Sequence, residues 1–477
     1  MSTKRNLLIF GSFTLAFGLL LAFYLLTVLH FSKYPEKTDF YKFYKSAGFF
    51  TEGKSIYTPV PFDPPDAYLA RLSEKARATI NTYHPNLNAP FHTLFILPLG
   101  FLPIRVAFWI WSIFSLCLCL MAVGLIAYKQ AFRDYEMPLY SIHNQQGILA
   151  PDSIPTQSHN NRPLMRNQNS TDQGLLDAHA VPFLILWIIC LAYFPSWVNV
   201  VTGQFGIFLL GLIVFIWLSA RNGKSHLAGI ILGIALSAKI FMGLFLIFFA
   251  VQRRWKVLFW AISVFIFCNI ISLSIFGLHT YKQHLELISL SHLYINASWN
   301  ASFMAFFTRI LGGAENIPLI ALPMVAYGLA YSLSCLLTLG LIWCAWPRPR
   351  DGSPLVRFDI GYSLTIVAML LISPFGWMYY FPVLLIPLLV AWHASSLLQI
   401  NKSYKFLLVG TWILSSIPTW LINSEETAMN KPIVWFTTSG YYFYALITFC
   451  VLLLVLSYRL SRSIIPLGNG CCHVGRW

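Results

Sequence analysis

Three features of this sequence predict an all-α polytopic membrane protein. Apolar runs of membrane-crossing length recur along the chain. Hydrophobic residues make up 57% of the 477 positions and charged residues only 10%, more apolar than a soluble core of this length requires. The basic residues also fall in short clusters between the apolar runs, as topology signals do. The same clustering argues against nucleic acid as the reason for the net charge of +15.

The first run, residues 7–31, contains no charge and exceeds the roughly 20 residues needed to cross the hydrocarbon layer. It lacks the short core and small-residue cleavage site of a secretory signal, so it is expected to be retained. Further spans are expected near 104–128, 181–199, 205–220, 226–239, 240–252, 257–278, 318–346, 356–373, 380–399, 404–422 and 436–458. With the first, that makes about twelve membrane helices. Lys4/Arg5, Arg221/Lys224, Arg253/Arg254/Lys256, Arg348/Arg350/Arg357, Lys402/Lys405 and Arg459/Arg462 then fall on one side. That side is expected to be cytoplasmic, with both termini there, in a plasma (inner) membrane.

Residues 227–252 are short for two crossings although both flanks are basic, so they are expected to form a tight hairpin with Lys239 near its tip. Broken helices at membrane depth need protein or a cavity around them, and the hairpin is therefore a candidate buried site. The whole chain, 1–477, is expected to be one membrane domain. Residues 131–179, rich in Asn, Gln, Ser, Pro and His, are expected to be a disordered cytoplasmic insert.

The long outer loop, 32–90, is expected to carry helices at the membrane interface. In its first helix Phe40, Phe43, Tyr44 and Ala47 share one face while Lys42 and Lys45 lie elsewhere. A second helix is expected to start at Asp63 as cap and Pro64 in the first turn, with Leu69, Leu72, Ala76 and Ile80 as its apolar stripe.

The acidic residues placed on the outer side are Glu36, Asp39, Glu52, Asp63, Asp66, Glu74, Glu286, Glu315, Glu425 and Glu426. Capping and the helix dipole account for Asp63 and Asp66, and Glu425 and Glu426 sit in an ordinary polar loop. Asp39 is the best-placed general base, although an aspartate at a helix start also stabilises that terminus. Of nine cysteines, seven lie within apolar segments and give no disulfide or zinc spacing; Cys471 and Cys472 read as unpaired thiols. His84 and His92 alone make no metal site, and the sequence assigns no cofactor. Asn296-Ala-Ser298 and Asn300-Ala-Ser302 are two sequons, of which Asn300 is preferred as a sugar-site residue.

The order of motifs resembles glycosyltransferase family 87. The series begins with Asp39-Phe40…Phe43-Tyr44…Ala47, Gly53 and Tyr57. It continues with Asn88-Ala89-Pro90-Phe91, where Ala89 replaces a proline of the family element. Then come Gly203-Gln204, the glycine-rich segment ending in Lys239, the basic exit Arg253-Arg254, and Asn300, Ser302 and Arg309. Where the family has Ser-Pro-x-Ser-Trp and a histidine, this chain reads Ser373-Pro374-Phe375-Gly376-Trp377-Met378-Tyr379, with Tyr379 in place of the histidine.

The resemblance implies a GT-C-like membrane enzyme of the cell envelope. It would move a hexose, mannose in many members, from a polyprenyl-phosphate-sugar donor to a glycan or glycolipid acceptor at the outer face. It implies Asp39 as the base of an inverting attack, Lys239 and Arg309 at the donor phosphate, and Asn300, Gln204, Trp377 and Tyr379 at sugar or acceptor. The bilayer and the two substrates are then the only partners expected.

The rival reading is a secondary transporter, favoured by the span count, the broken hairpin and its lysine. A transporter concentrates polar residues at several span midplanes, and most spans here have few. A glycan polymerase or ligase would differ chiefly in using a diphosphate-linked donor. A scaffold would be indifferent to Asp39→Asn.

Overall fold

The computed structural model describes residues 2–58, 86–127, 183–289, 295, 297, 299–312, 321–348, 354–418 and 440–462. The expected insert, the second outer-loop helix beginning at Asp63, His84, Glu425, Glu426, Cys471 and Cys472 lie outside them.

The regular elements among the described residues are all helices; a single isolated bridge, Asn300 with Trp377, is the one extended pairing among them. The helices are α1 (Ser2–Phe31), α2 (Phe40–Thr51), α3 (Pro90–Ile96), α4 (Ile104–Ala127), α5 (Phe183–Leu191), α6 (Phe194–Thr202), α7 (Gly206–Arg221) and α8 (Ser225–Ala238). They continue with α9 (Leu244–Val251), α10 (Trp255–Ser289), α11 (Phe303–Leu311), α12 (Pro323–Ala345), α13 (Pro354–Ile372), α14 (Leu385–Leu397), α15 (Lys402–Leu414) and α16 (Tyr441–Arg462).

Among the described residues, seven helical stretches are long and apolar enough to cross a membrane. The bent pair α5–α6, turned by 67°, makes an eighth. The expected count of twelve treated α7, α8, α9 and α15 as spans. These have 16, 14, 8 and 13 residues, and at 1.5 Å per residue none covers a ~30 Å layer alone.

Two spans illustrate how apolar length is used. The apolar window of α13 is 89% buried, whereas that of α1 is 11% buried. A helix apolar on all sides sits either inside a bundle or against lipid, so α13 is the central post and α1 a peripheral one. Leu15, Leu19 and Leu26 of α1, with Phe259, Phe267 and Leu278 of α10, are exposed and form part of the lipid-facing belt.

The hairpin forms as expected. Arg221 and Lys224 stand before α8, Arg253 and Arg254 follow α9, and Lys239 breaks the pair in an extended conformation, φ −147° and ψ 107°. Helix α8 packs along α10 through Gly229 and Gly233, where a Cβ would collide with the Val257 and Ala261 carbonyls. Small residues four apart allow this approach. Helix α10 bends at Gly277 (φ 79°), so the expected span 257–278 ends at the kink.

At the end of the bundle that carries these basic clusters, Asp359 of α13 is fully buried. It accepts a 2.7 Å hydrogen bond from Trp217 Nε1 and lies 3.5 Å from Arg221 Nε. The Arg254 guanidinium, stacked 4.4 Å over Phe358, is within electrostatic reach. This carboxylate joins α7, the α9–α10 corner and α13.

Candidate active site

The site begins with the turn ahead of α2. Pro35–Lys37 form one 3₁₀ turn, closed by Thr38 Oγ1 donating to the Pro35 carbonyl at 2.6 Å. Asp39 follows with helical dihedrals, yet its side chain caps no backbone N–H of α2. One carboxylate oxygen accepts from Gln204 Nε2; the other accepts from Lys42 Nζ at 2.7 Å. A capping role for Asp39 is thereby replaced by side-chain pairing.

The apolar face of α2 is turned into the protein rather than toward lipid. Phe40 packs on Phe108 and Trp111 of α4, and Phe43 packs on Phe205 and His92. Phe40 and Ala47 are wholly buried. The interfacial placement expected for this face is corrected on that ground: burying these rings against α4 fixes Asp39 relative to the bundle.

Gln204 reaches Asp39 because of Gly203. Gly203 has φ 71°, and any Cβ there would strike the Phe40 side chain; both reasons require glycine. Its carbonyl accepts from Trp111 Nε1 at 3.0 Å. The Gly-Gln pair is therefore a left-handed turn ending α6 that aims an amide at the α2 carboxylate.

Lys239 donates to the Asn88 side-chain oxygen, and its ammonium lies 5.3 Å from the centroid of the Tyr380 ring. Asn88 Nδ2 in turn donates to Asn86 Oδ1 (2.7 Å), Asn86 donates to Ser46 Oγ of α2 (3.1 Å), and Tyr57 donates to the Asn88 carbonyl (2.7 Å). Two further couplings close the group: Asp39 is within electrostatic reach of Tyr380, and Lys42 of Lys239. Trp377 stacks on Tyr380 at 6.4 Å with 12° between planes. Asp39, Gln204, Lys42, Lys239, Asn88, Tyr380 and Trp377 therefore form one polar and aromatic cluster where the segment after α1 meets the hairpin.

His92 sits at the back of this cluster, fully buried, its ring 3.7 Å from that of Phe205. Burial, then the Lys239 and Lys42 charges, hold it well below the usual imidazole range. Below about pH 6.5 the unfolded chain binds a proton that the native ring refuses, so stability falls as pH falls. Relative to His92→Phe, the wild type is expected to lose about 2 kcal/mol between pH 7 and pH 5, readable as a divergence of the two detergent-solution melting temperatures.

Three expected site residues are placed elsewhere. Asn300 is fully buried; its amide donates to the Ile295 and Pro374 carbonyls at 2.9 and 2.7 Å, and its oxygen accepts from Ser302 N–H. Arg309, 1% exposed, donates to the Ala297 and Asn300 carbonyls at 2.7 and 2.9 Å. Both tie the 295–302 loop to the Ser373–Trp377 turn, which also pairs through Ala301 N–H to Gly376 and Met378 N–H to Trp299. The expected contacts of Asn300 with sugar and Arg309 with phosphate give way to this backbone bracing, because buried carbonyls need donors. Burial likewise removes Asn300 as a glycosylation acceptor in the folded chain. Tyr379 offers its carbonyl to Asn199, and its phenol lies within electrostatic reach of Tyr442 on α16. Its neighbour Tyr380 is the one facing Lys239.

A model of glycosyltransferase family 87 matches residues 86–374, from Asn86 through α3, the hairpin and the 295–302 loop to the Ser373-Pro374 turn. The chain belongs to glycosyltransferase family 87. No curated protein and no solved structure matches it. A glycosyltransferase of this family works in the membrane on a sugar donor and an acceptor. Its matched region holds Asn88, Gln204 and Lys239, while Tyr380 lies just after that region and Asp39 and Lys42 precede it, joined to it through Gln204, Asn86 and the rings of α2.

Sequence reasoning passed over Lys42, Asn86, His92 and Tyr380 as site residues of this glycosyltransferase. Lys42 was accessible, since a lysine three residues after an aspartate shares its helix face. Tyr380 had no such signal, because which of two adjacent tyrosines faces the hairpin depends on the 3₁₀ turn Met378–Leu384. Among the described residues no group of three His, Cys, Asp or Glu gathers as metal ligands.

Proposed function

We propose that this chain transfers a hexose, mannose by family resemblance, from a polyprenyl-phosphate-sugar to a glycan or lipid acceptor at the outer face of the plasma membrane, with inversion. The acceptor hydroxyl oxygen attacks the anomeric carbon while the bond from that carbon to the phosphate oxygen breaks. The electron pair stays on the departing lipid phosphate, and the hydroxyl proton passes to Asp39.

The observation that carries this reading is the pairing geometry of Asp39. Its carboxylate is held by two side chains instead of by the backbone N–H groups of α2, at a partly buried position in the same cluster as the Lys239 ammonium. A general base and a cation for the developing phosphate charge are the two groups the reaction needs. Gln204, Trp377 and Tyr380 line the approach: an amide suits a sugar hydroxyl, and aromatic faces suit its C–H face.

The test uses purified protein in nanodiscs with three radiolabelled donors: polyprenyl-phosphate-mannose, polyprenyl-diphosphate-linked sugar and a nucleotide sugar. Transfer from the first alone is expected. Transfer from the diphosphate donor alone would replace this reading with a polymerase- or ligase-type reaction.

A further inference from the structure

We propose that Lys42 is a donor-binding residue that exchanges the Asp39 carboxylate for the donor phosphate, so that arrival of the donor frees the base. The inference rests on the reading of Asp39 as that base.

Lys42 lies one helical turn after Asp39, on the side of α2 that faces the cluster. Its ammonium is 2.7 Å from one Asp39 oxygen, and the two side chains are only 13% and 20% exposed. Such a pair is poorly hydrated, so each partner is easily claimed by a better-placed opposite charge. Lys239 is within electrostatic reach of Lys42. Among the described residues the cluster thus holds two ammonium groups against one carboxylate and has one positive charge over. A sugar–phosphate–lipid diester carries one negative charge, and its arrival neutralises the group.

The second cation expected from sequence, Arg309, is spent on the Ala297 and Asn300 carbonyls, and His92 is held neutral. That leaves Lys42 as the partner of Lys239 among the cluster residues. Its reach is also suitable. The ammonium rests 5.3 Å from the Phe43 ring centroid, and a flexible four-carbon stem lets it swing from carboxylate to phosphate without moving α2. Gln204 meanwhile keeps hold of the other Asp39 oxygen, so the carboxylate keeps its aim when Lys42 leaves. In the resting state Lys42 occupies one oxygen of Asp39; with the donor bound, that oxygen is open and the carboxylate accepts the acceptor's proton. No bond is made or broken at Lys42.

The experiment compares wild type, Lys42→Gln, Lys42→Arg and Asp39→Asn in nanodiscs, with melting temperatures taken first to confirm folding. Two readouts are used: binding of farnesyl phosphate against uncharged farnesol, and transfer from polyprenyl-phosphate-mannose across pH. Lys42→Gln is expected to weaken farnesyl phosphate binding about tenfold and leave farnesol unchanged. It is also expected to raise donor KM more than it lowers kcat, and to move the acid limb of the rate profile to higher pH because Asp39 has lost its cation. Lys42→Arg is expected to restore phosphate binding. Unchanged phosphate affinity and donor KM in Lys42→Gln, alongside an inactive Asp39→Asn, would overturn the exchange while leaving the base standing. Full transfer by Asp39→Asn would remove the base and the exchange with it.

Discussion

Asp39→Asn is expected to leave the protein folded and to slow sugar transfer by about 10²- to 10⁴-fold, the range for loss of a general base. The substitution suits the geometry. An asparagine oxygen still accepts from Lys42, and a flipped Gln204 amide still meets the new NH₂ group, so both hydrogen bonds at this position survive in altered polarity. What disappears is the capacity to take a proton. The buried face of α2 is untouched, since Phe40, Phe43 and Ala47 hold the helix in place whatever residue 39 is. Radiolabelled transfer at equal protein abundance, with matched melting temperatures, is the check. A variant that transfers at the wild-type rate would remove Asp39 from the chemistry.

Asp359→Ala is expected to be the most damaging single change to stability, about 3–5 kcal/mol, at the far end of the same bundle. The carboxylate accepts from Trp217 Nε1 and pairs with Arg221, whose side chain is 4% exposed. Truncation takes the carboxylate away from a buried indole N–H and a buried guanidinium, and the cost is mainly that of the lost pairing in a poorly hydrated place. Phosphate or sugar binding in the surviving folded fraction should be unaltered, because Asp359 belongs to the corner of α7, α10 and α13 and not to the Asp39 cluster. Chemical denaturation in detergent reads the first effect, and farnesyl phosphate binding reads the second. A melting temperature within a degree or two of wild type would show that this charge cluster does not hold the bundle.

These two expectations differ in how much of them the sequence contains. Asp39 could be chosen as a base from its place after the first span and its family-like surroundings. Its escape from a capping role could not, because that depends on Gln204, 165 residues away. Asp359 reads in the sequence as one charge near a basic loop. Its burial follows from α13 taking the central place, and the apolar composition of α13 resembles that of α12, which exposes far more of its surface. Hydropathy ranks helices by transfer free energy, and lipid and protein interior are nearly equal on that scale.

Asn300 and Arg309 show the same limit. Polar side chains near an outer loop suit a sugar or a phosphate as readily as they suit unpaired carbonyls, and spacing along the chain does not distinguish the two. The choice was made when the 295–302 loop came against the Ser373–Trp377 turn.

The sequence by itself determined that this is a helical membrane protein, that Lys239 marks a break between two short helices, and that the motifs from Asn88 to Ser373 follow the family order. Those properties are local: they depend on apolar run length, basic flanks and residue order. Only the tertiary structure decided that α7 is too short to be a span alone, that α2 buries its aromatic face in the protein, and that Asp39 and Lys42 meet Gln204, Lys239 and Tyr380. The physical reason is that a hydrogen bond or ion pair forms at about 3 Å between groups, whereas Gln204, the nearest in sequence of the distant partners, is 165 positions from Asp39, a separation closed by ring packing and a left-handed glycine rather than by any periodicity.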